Sequence, residues 1–170
     1  VIENDYKRDI WQYDTNDTDK NRFVKCQFGL DHSFGSMFYL SPSSKYLAIA
    51  EQTRLEIMDL EKDSSKEIQI LDTGGFENKP NIAVFNPSES QIALGMQSNV
   101  IKIINPESGK ILFTLTHDSH INDLSYSPDD TVLVSASNDA TVKFWNAKTG
   151  KLLVSLNDFQ NGTGMVHYFD

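Results

Sequence analysis

The stretch that decides the fold runs from Gly109 to Asn146. It reads Gly109-Lys-Ile-Leu-Phe-Thr-Leu115, then Thr116-His117, Ile121-Asn-Asp-Leu-Ser-Tyr-Ser-Pro-Asp-Asp130, Leu133-Val-Ser-Ala-Ser-Asn-Asp139 and Ala140-Thr-Val-Lys-Phe-Trp-Asn146. Short apolar runs are separated here by Pro, Asn, Asp and Gly, the residues that start and end turns. None of the runs follows the i, i+3, i+4, i+7 spacing of a helix, so each is read as a strand.

Working outward, the same pattern recurs upstream. Ser41-Pro42, Asn86-Pro87 and Ser127-Pro128 each end an apolar stretch: Met37 to Leu40, Ile82 to Phe85, and Ile121 to Tyr126. The prolines are 45 and 41 residues apart. A second run follows each: Tyr46 to Ala50, Ile92 to Met96, and Val132 to Ser137. A third alternates: Leu55 to Met58, Ile101 to Ile104, and Val142 to Trp145. A fourth follows a polar turn: Ile68 to Leu71, Ile111 to Leu115, and Leu152 to Leu156. Four strands per unit, repeated at about 41 to 46 residues, predict stacked units that bury apolar faces against one another.

The Gly109–Trp145 segment resembles a WD-repeat β-propeller unit nearly end to end. The family's Gly-His pair stands as Thr116-His117, and its terminal Trp-Asp as Trp145-Asn146. The two preceding units are divergent, with Met58-Asp59 and Ile104-Asn105 in the terminal place. Asp9 to Asp14 and Phe23 to Phe28 look like the third and fourth strands of an earlier unit. Met165 to Asp170 looks like the first strand of a following one.

The expected division is a partial blade at 1–28, divergent repeats at 29–71 and 72–115, the well-matched repeat at 116–156, and the start of a blade at 157–170. The expected fold is therefore all-β, a propeller of four-stranded antiparallel blades with 15 strands in this chain. Because 15 closes no ring of four-stranded blades, the missing blades are expected on the same or a companion chain.

Composition bounds the rest. The 170 residues are 39% hydrophobic, enough for a core, and no run approaches the roughly 18 apolar residues of a spanning helix, so no membrane insertion is expected. The N-terminal Val1-Ile2-Glu3-Asn4-Asp5 has neither signal-peptide character nor an initiator Met, and a longer parent polypeptide is expected. Fifteen basic residues against 24 acidic ones give a net charge of −9, which disfavours nucleic acid as a partner. The single Cys26 excludes an internal disulfide and fits a reducing, intracellular, cytoplasmic setting. Asn16-Asp17-Thr18 and Asn161-Gly162-Thr163 match the glycosylation pattern and are read as chance in an Asn-rich chain.

Several side-chain groupings carry residue types that could do chemistry. His117, Ser135 and Asp139 are those of a hydrolase triad, but Ser135 lies mid-strand rather than on a sharp nucleophile turn. The resemblance implies instead a buried structural tetrad, in which Asp139 orients His117, His117 bonds Ser135, and Ser135 reaches Trp145. Ser137 is read as outside it. The upstream units lack the matching Asp and His, so hydrophobic support is expected there.

His117-Asp118-Ser119-His120 offers two imidazoles, with His32 and His167 far off in sequence, too few for a zinc site. Asp17-Thr18-Asp19-Lys20-Asn21 imitates a calcium loop, yet Arg22 and Phe28 replace its Gly and closing Glu. Gly74-Gly75 has no phosphate-loop context. No catalytic residue, metal or cofactor is expected.

The function implied is a non-catalytic protein–protein interaction scaffold, with other proteins bound through a propeller face. A sensor propeller attached to an enzyme is the alternative, and membership of an RNA–protein assembly a third reading. The partner-binding loops are placed at Phe76, Lys79, His120, Asn138 and Phe159. Phe76 and Phe159 lie on the long connections Asp72–Lys79 and Asn157–Gly164.

Overall fold

The computed structural model describes residues 9–12, 24–27, 37–50, 54–60, 69–72, 79–157, 159 and 164–168. Its elements are all strands. The first two, β1 (Asp9–Gln12) and β2 (Val24–Gln27), pair antiparallel. Three four-stranded antiparallel sheets come next, each a simple meander. Blade one holds β3 (Met37–Leu40), β4 (Tyr46–Ala50), β5 (Arg54–Asp59) and β6 (Gln69–Asp72). Blade two holds β7 (Pro80–Phe85), β8 (Ile92–Met96), β9 (Val100–Ile104) and β10 (Ile111–Thr116). Blade three holds β11 (Ile121–Tyr126), β12 (Val132–Ser137), β13 (Val142–Asn146) and β14 (Leu152–Leu156).

The repeat is legible in the turns. The fourth residue of each Ser/Asn-Pro turn, Ser44, Glu89 or Asp130, sits at φ of 66°, 58° or 60°. In every case its N–H closes the turn on the carbonyl of the residue before proline, at 2.8 to 3.0 Å. The side chain before proline then caps the next strand. Ser41 Oγ accepts from Tyr46 N–H, Asn86 Oδ1 from Gln91 N–H, and Ser127 Oγ from Val132 N–H, at 2.9, 2.7 and 2.9 Å. Ser and Asn suit this position because a short polar side chain can reach backbone a few residues on.

Blades stack face to face. Between the first two lies a core of Tyr46, Ala48, Leu55 and Ile57 against Phe85, Ile92, Leu94 and Ile104, with the Tyr46 and Phe85 rings stacked 6.3 Å apart. Between the second and third, Ile101, Ile103 and Leu115 meet Ile121, Leu124, Leu133 and Trp145. The innermost strands run side by side, and Asn81 Nδ2 bonds the Ile121 carbonyl at 2.8 Å. Gly95 is required where they meet, since a Cβ there would lie 2.8 Å from Ile82 Cγ2 and 3.0 Å from Ile121 Cγ2.

Of the strand expected at Met165 to Asp170, the described part, residues 165–168, is not assigned as strand. Residues 164–168 carry no ladder, because no second strand among the described residues pairs with them. They lie instead along β11, with Val166 N–H bonded to Asp123 Oδ2 at 2.8 Å and Tyr168 N–H to Ser125 Oγ at 3.3 Å. Other strand ends shift by one or two residues, as at β7, which starts at Pro80 rather than Ile82. The segments holding Phe76, Gly74-Gly75, His32 and Asp17 to Asn21 lie outside the described residues.

Candidate functional site

The polar groups singled out in blade three come together. Ser135, mid-strand in β12, is fully buried; His117, the first residue of the β10–β11 link, is 1% exposed; Trp145 in β13 is 7% exposed. Trp145 Nε1–H donates to Ser135 Oγ at 2.8 Å. Ser135 Oγ lies 2.7 Å from His117 Nε2, and His117 Nδ1 lies 2.9 Å from Asp139 Oδ2. The protons run one way: indole to hydroxyl, hydroxyl to imidazole, imidazole to carboxylate.

Asp139 is held in turn by the Asp118 N–H at 2.8 Å and by the Thr141 N–H and hydroxyl at 2.9 and 2.7 Å. Burial alone raises its carboxyl, but these donors and His117 outweigh it and hold the group far below the ordinary carboxylate value. Burial pushes the His117 imidazole down, against the opposing pull of Asp139. His117 is therefore neutral at neutral pH, and its contact with Asp139 is a hydrogen bond rather than an ion pair.

This arrangement is structural. Ser135 Oγ has no path to solvent, and its lone pair is taken by the Trp145 indole, so no substrate carbonyl can reach it. Both ring nitrogens of His117 are occupied, which leaves no lone pair for a metal. Ser137 stands apart, donating to the Ser119 carbonyl at 3.1 Å.

Thr141 is a member the sequence reading missed. Its signal is the Asp-x-Thr spacing at Asp139, a local turn in which a hydroxyl two residues on closes back onto the carboxylate.

Blade two solves the same structural problem without polar groups. Matching the strand registers places Leu94 at the position of Ser135 and Ile104 at that of Trp145. Both are fully buried in the core shared with blade one. The expected hydrophobic support is what the structure shows there.

Of the residues assigned to partner-binding loops, the described ones, Lys79, His120, Asn138 and Phe159, fall on the links at one end of the blades. Lys79 precedes β7 and is half-buried, while His120 precedes β11 and is exposed. Their carbonyls accept from equivalent positions, Gln97 N–H at 2.7 Å and Asn138 N–H at 2.9 Å. Asn138 is exposed, and its Oδ1 accepts from Asn122 Nδ2 at 2.7 Å. Phe159 is 40% exposed on the link after β14. Phe76 lies outside the described residues.

Comparison with known proteins agrees with this geometry. The family model "WD domain, G-beta repeat" matches residues 109–146. WD repeat-containing protein SL1-17 of Schistosoma mansoni is 30% identical over 114 residues, covering 67% of this chain and 37% of that protein. WD repeat and SOCS box-containing protein 1 of Homo sapiens is 35% identical over 80 residues, covering 45% of this chain and 19% of that protein. The chain thus spans well under half the length of these relatives. Among solved structures, the RRP9 WD40 repeats superpose with a TM-score of 0.68 at 19% identity, covering 76% of this chain and 40% of theirs. U3-55K gives the same score and identity over 41% of its chain. With a repeat motif at 109–146, three four-stranded meanders stacked through their faces, and WD repeat-containing relatives, the chain belongs to the WD-repeat β-propeller family.

Proposed function

We propose that this segment is a non-catalytic protein-binding scaffold whose partner-facing surface is the blade end carrying Lys79, His120, Asn138 and Phe159. The observation that carries the reading is a division of labour within blade three. Every polar group of the tetrad is spent internally, whereas the His120 and Asn138 side chains stand exposed beside a backbone pinned by the Asn138–His120 bond, and the Phe159 ring after β14 is 40% exposed. A rigid rim with exposed aromatic and polar side chains suits protein recognition, because little entropy is lost on binding and aromatics dominate contact energy. The net charge of −9 supports a protein partner over nucleic acid.

The test is quantitative affinity mass spectrometry on the natural-length protein, comparing wild type with His120→Ala and Phe159→Ala. Loss of a common partner with unchanged melting supports the reading. An unchanged partner set with a lowered melting point shows these side chains to be core, and removes the proposal.

A further inference from the structure

The fourth strands of blades two and three each open on an exposed apolar pair. In blade two the pair is Ile111–Leu112 and in blade three Leu152–Leu153, and each follows a Gly-Lys step, Gly109-Lys110 or Gly150-Lys151. The ladders explain the exposure. Ile111 pairs with Ile104 and Phe113 with Ile103, which leaves Leu112 as the extra residue of a β-bulge. Leu152 pairs with Trp145 and Val154 with Phe144, so Leu153 is the extra residue of a second bulge at the matching place. A regular strand would turn one side chain of each pair onto a blade face. The bulges leave both in the open: Ile111 is 45% and Leu112 40% exposed, and Leu152 and Leu153 are about half exposed.

A missing neighbour does not account for this. Blade two is stacked on both sides, against blade one through Leu94 and Ile104 and against blade three through Ile103 and Leu115, and its pair is still open. The pair lies beyond the stacked faces, on the outer edge. The two edges meet there, because Gly150 lies so close to Phe113 that a Cβ would stand 2.8 Å from its Cγ. The turn carrying Lys148 and Lys151 is therefore seated against the start of β10.

The charge at this edge runs against that of the whole chain. Lys110, Lys148 and Lys151 are exposed, and none of them pairs with an acid among the described residues. Glu107 is the one acid in the two turns, 105–110 and 146–151. Three cations against one carboxylate reverse, locally, a net charge of −9.

We propose that the outer edge holding the Ile111–Leu112 and Leu152–Leu153 pairs, flanked by Lys148 and Lys151, binds an acidic amphipathic helix of a partner protein. Open apolar side chains beside unpaired cations match Leu or Phe side chains flanked by Asp or Glu. An added partner strand is a poorer occupant, since a bulge interrupts each edge where the pair stands. A segment resting on side chains alone satisfies its own backbone groups, as a helix does. The surface is separate from the end bearing His120 and Asn138, because the β9–β10 and β13–β14 turns lie at the opposite ends of the strands.

The experiment is selection of helical peptides from a phage library on the natural-length protein, with counter-selection on Leu112→Ala combined with Leu153→Ala. Peptides that bind wild type and not this variant should carry Asp or Glu beside Leu or Phe at i, i+3 or i+4 spacing. Their affinity should fall about tenfold with Lys148→Glu combined with Lys151→Glu, and return when a Glu→Lys form of the peptide meets that variant. Both variants change exposed side chains and should keep the wild-type melting point, and Phe159→Ala should leave peptide affinity unchanged. Finding no peptide that separates wild type from the leucine variant overturns the proposal, as does an enriched set without acids or an affinity indifferent to the two lysines. Phosphatidylserine vesicles that bind wild type and not the lysine variant overturn it as well, assigning the edge to a membrane surface.

Discussion

Replacing Ser135 with Ala removes the hub of the tetrad while changing volume by a single oxygen. Ser135 Oγ satisfies Trp145 Nε1–H at 2.8 Å and His117 Nε2 at 2.7 Å, and all three residues are buried. Without the hydroxyl, the indole N–H and the imidazole nitrogen each lose a partner where water does not enter. A buried polar group left unpaired costs about 1–3 kcal/mol. Partial relaxation around two such groups puts the expected loss at about 3 kcal/mol, or on the order of 10 °C in a domain of this size. The assay is urea unfolding of the natural-length protein followed by tryptophan fluorescence, with thermal melting alongside. Ser90→Ala, which removes an exposed hydroxyl bonded to Ser88 and Asn86, serves as the control and should change stability little. A loss under about 0.5 kcal/mol for Ser135→Ala would refute the structural role. So would an intact melt accompanied by a vanished hydrolytic activity.

Stability should fall as pH drops below 6.5, the ordinary imidazole value, because the unfolded chain takes up a proton that buried His117 refuses. Asp139 adds a further loss below its ordinary value of 3.8, where its low-lying carboxylate is still ionised in the fold. Melting from pH 8 to 5 checks the first part, and His117→Gln should flatten that slope. Asp130→Ala should destabilise by about 1–2 kcal/mol, through the lost latch to Asn86 and Ser88 at a corner that remains left-handed. Asp130→Asn should recover most of this in urea unfolding, since it keeps an acceptor and tolerates the corner; equal losses for the two would count against the latch. Gly150→Ala puts a Cβ 2.8 Å from Phe113 Cγ at a φ of 67°, for an expected cost of about 2 kcal/mol or more. Combining it with Phe113→Ala should show a coupling, because the clash disappears with the ring.

The sequence by itself determined what is local. Strands β3 to β14 follow from apolar runs between turn residues, and the three Ser/Asn-Pro turns from the chemistry of two adjacent positions. The blade count and the membership of His117, Ser135, Asp139 and Trp145 were legible because one repeat keeps the family's pattern from Gly109 to Asn146. What the tertiary structure decided depends on how one sheet lies on the next. The acids at Glu89 and Asp130 read as ordinary turn residues, and only stacking brings them to Ser43 and Ser88, more than 40 residues away. Likewise, Leu115 and Leu156 hold the same place in their repeats, and only the covering blade makes one core and the other surface. Residues 164–168 obey the same logic: their alternation reads as a strand, but a strand is completed by its partner's hydrogen bonds, and here side chains of β11 hold the backbone instead.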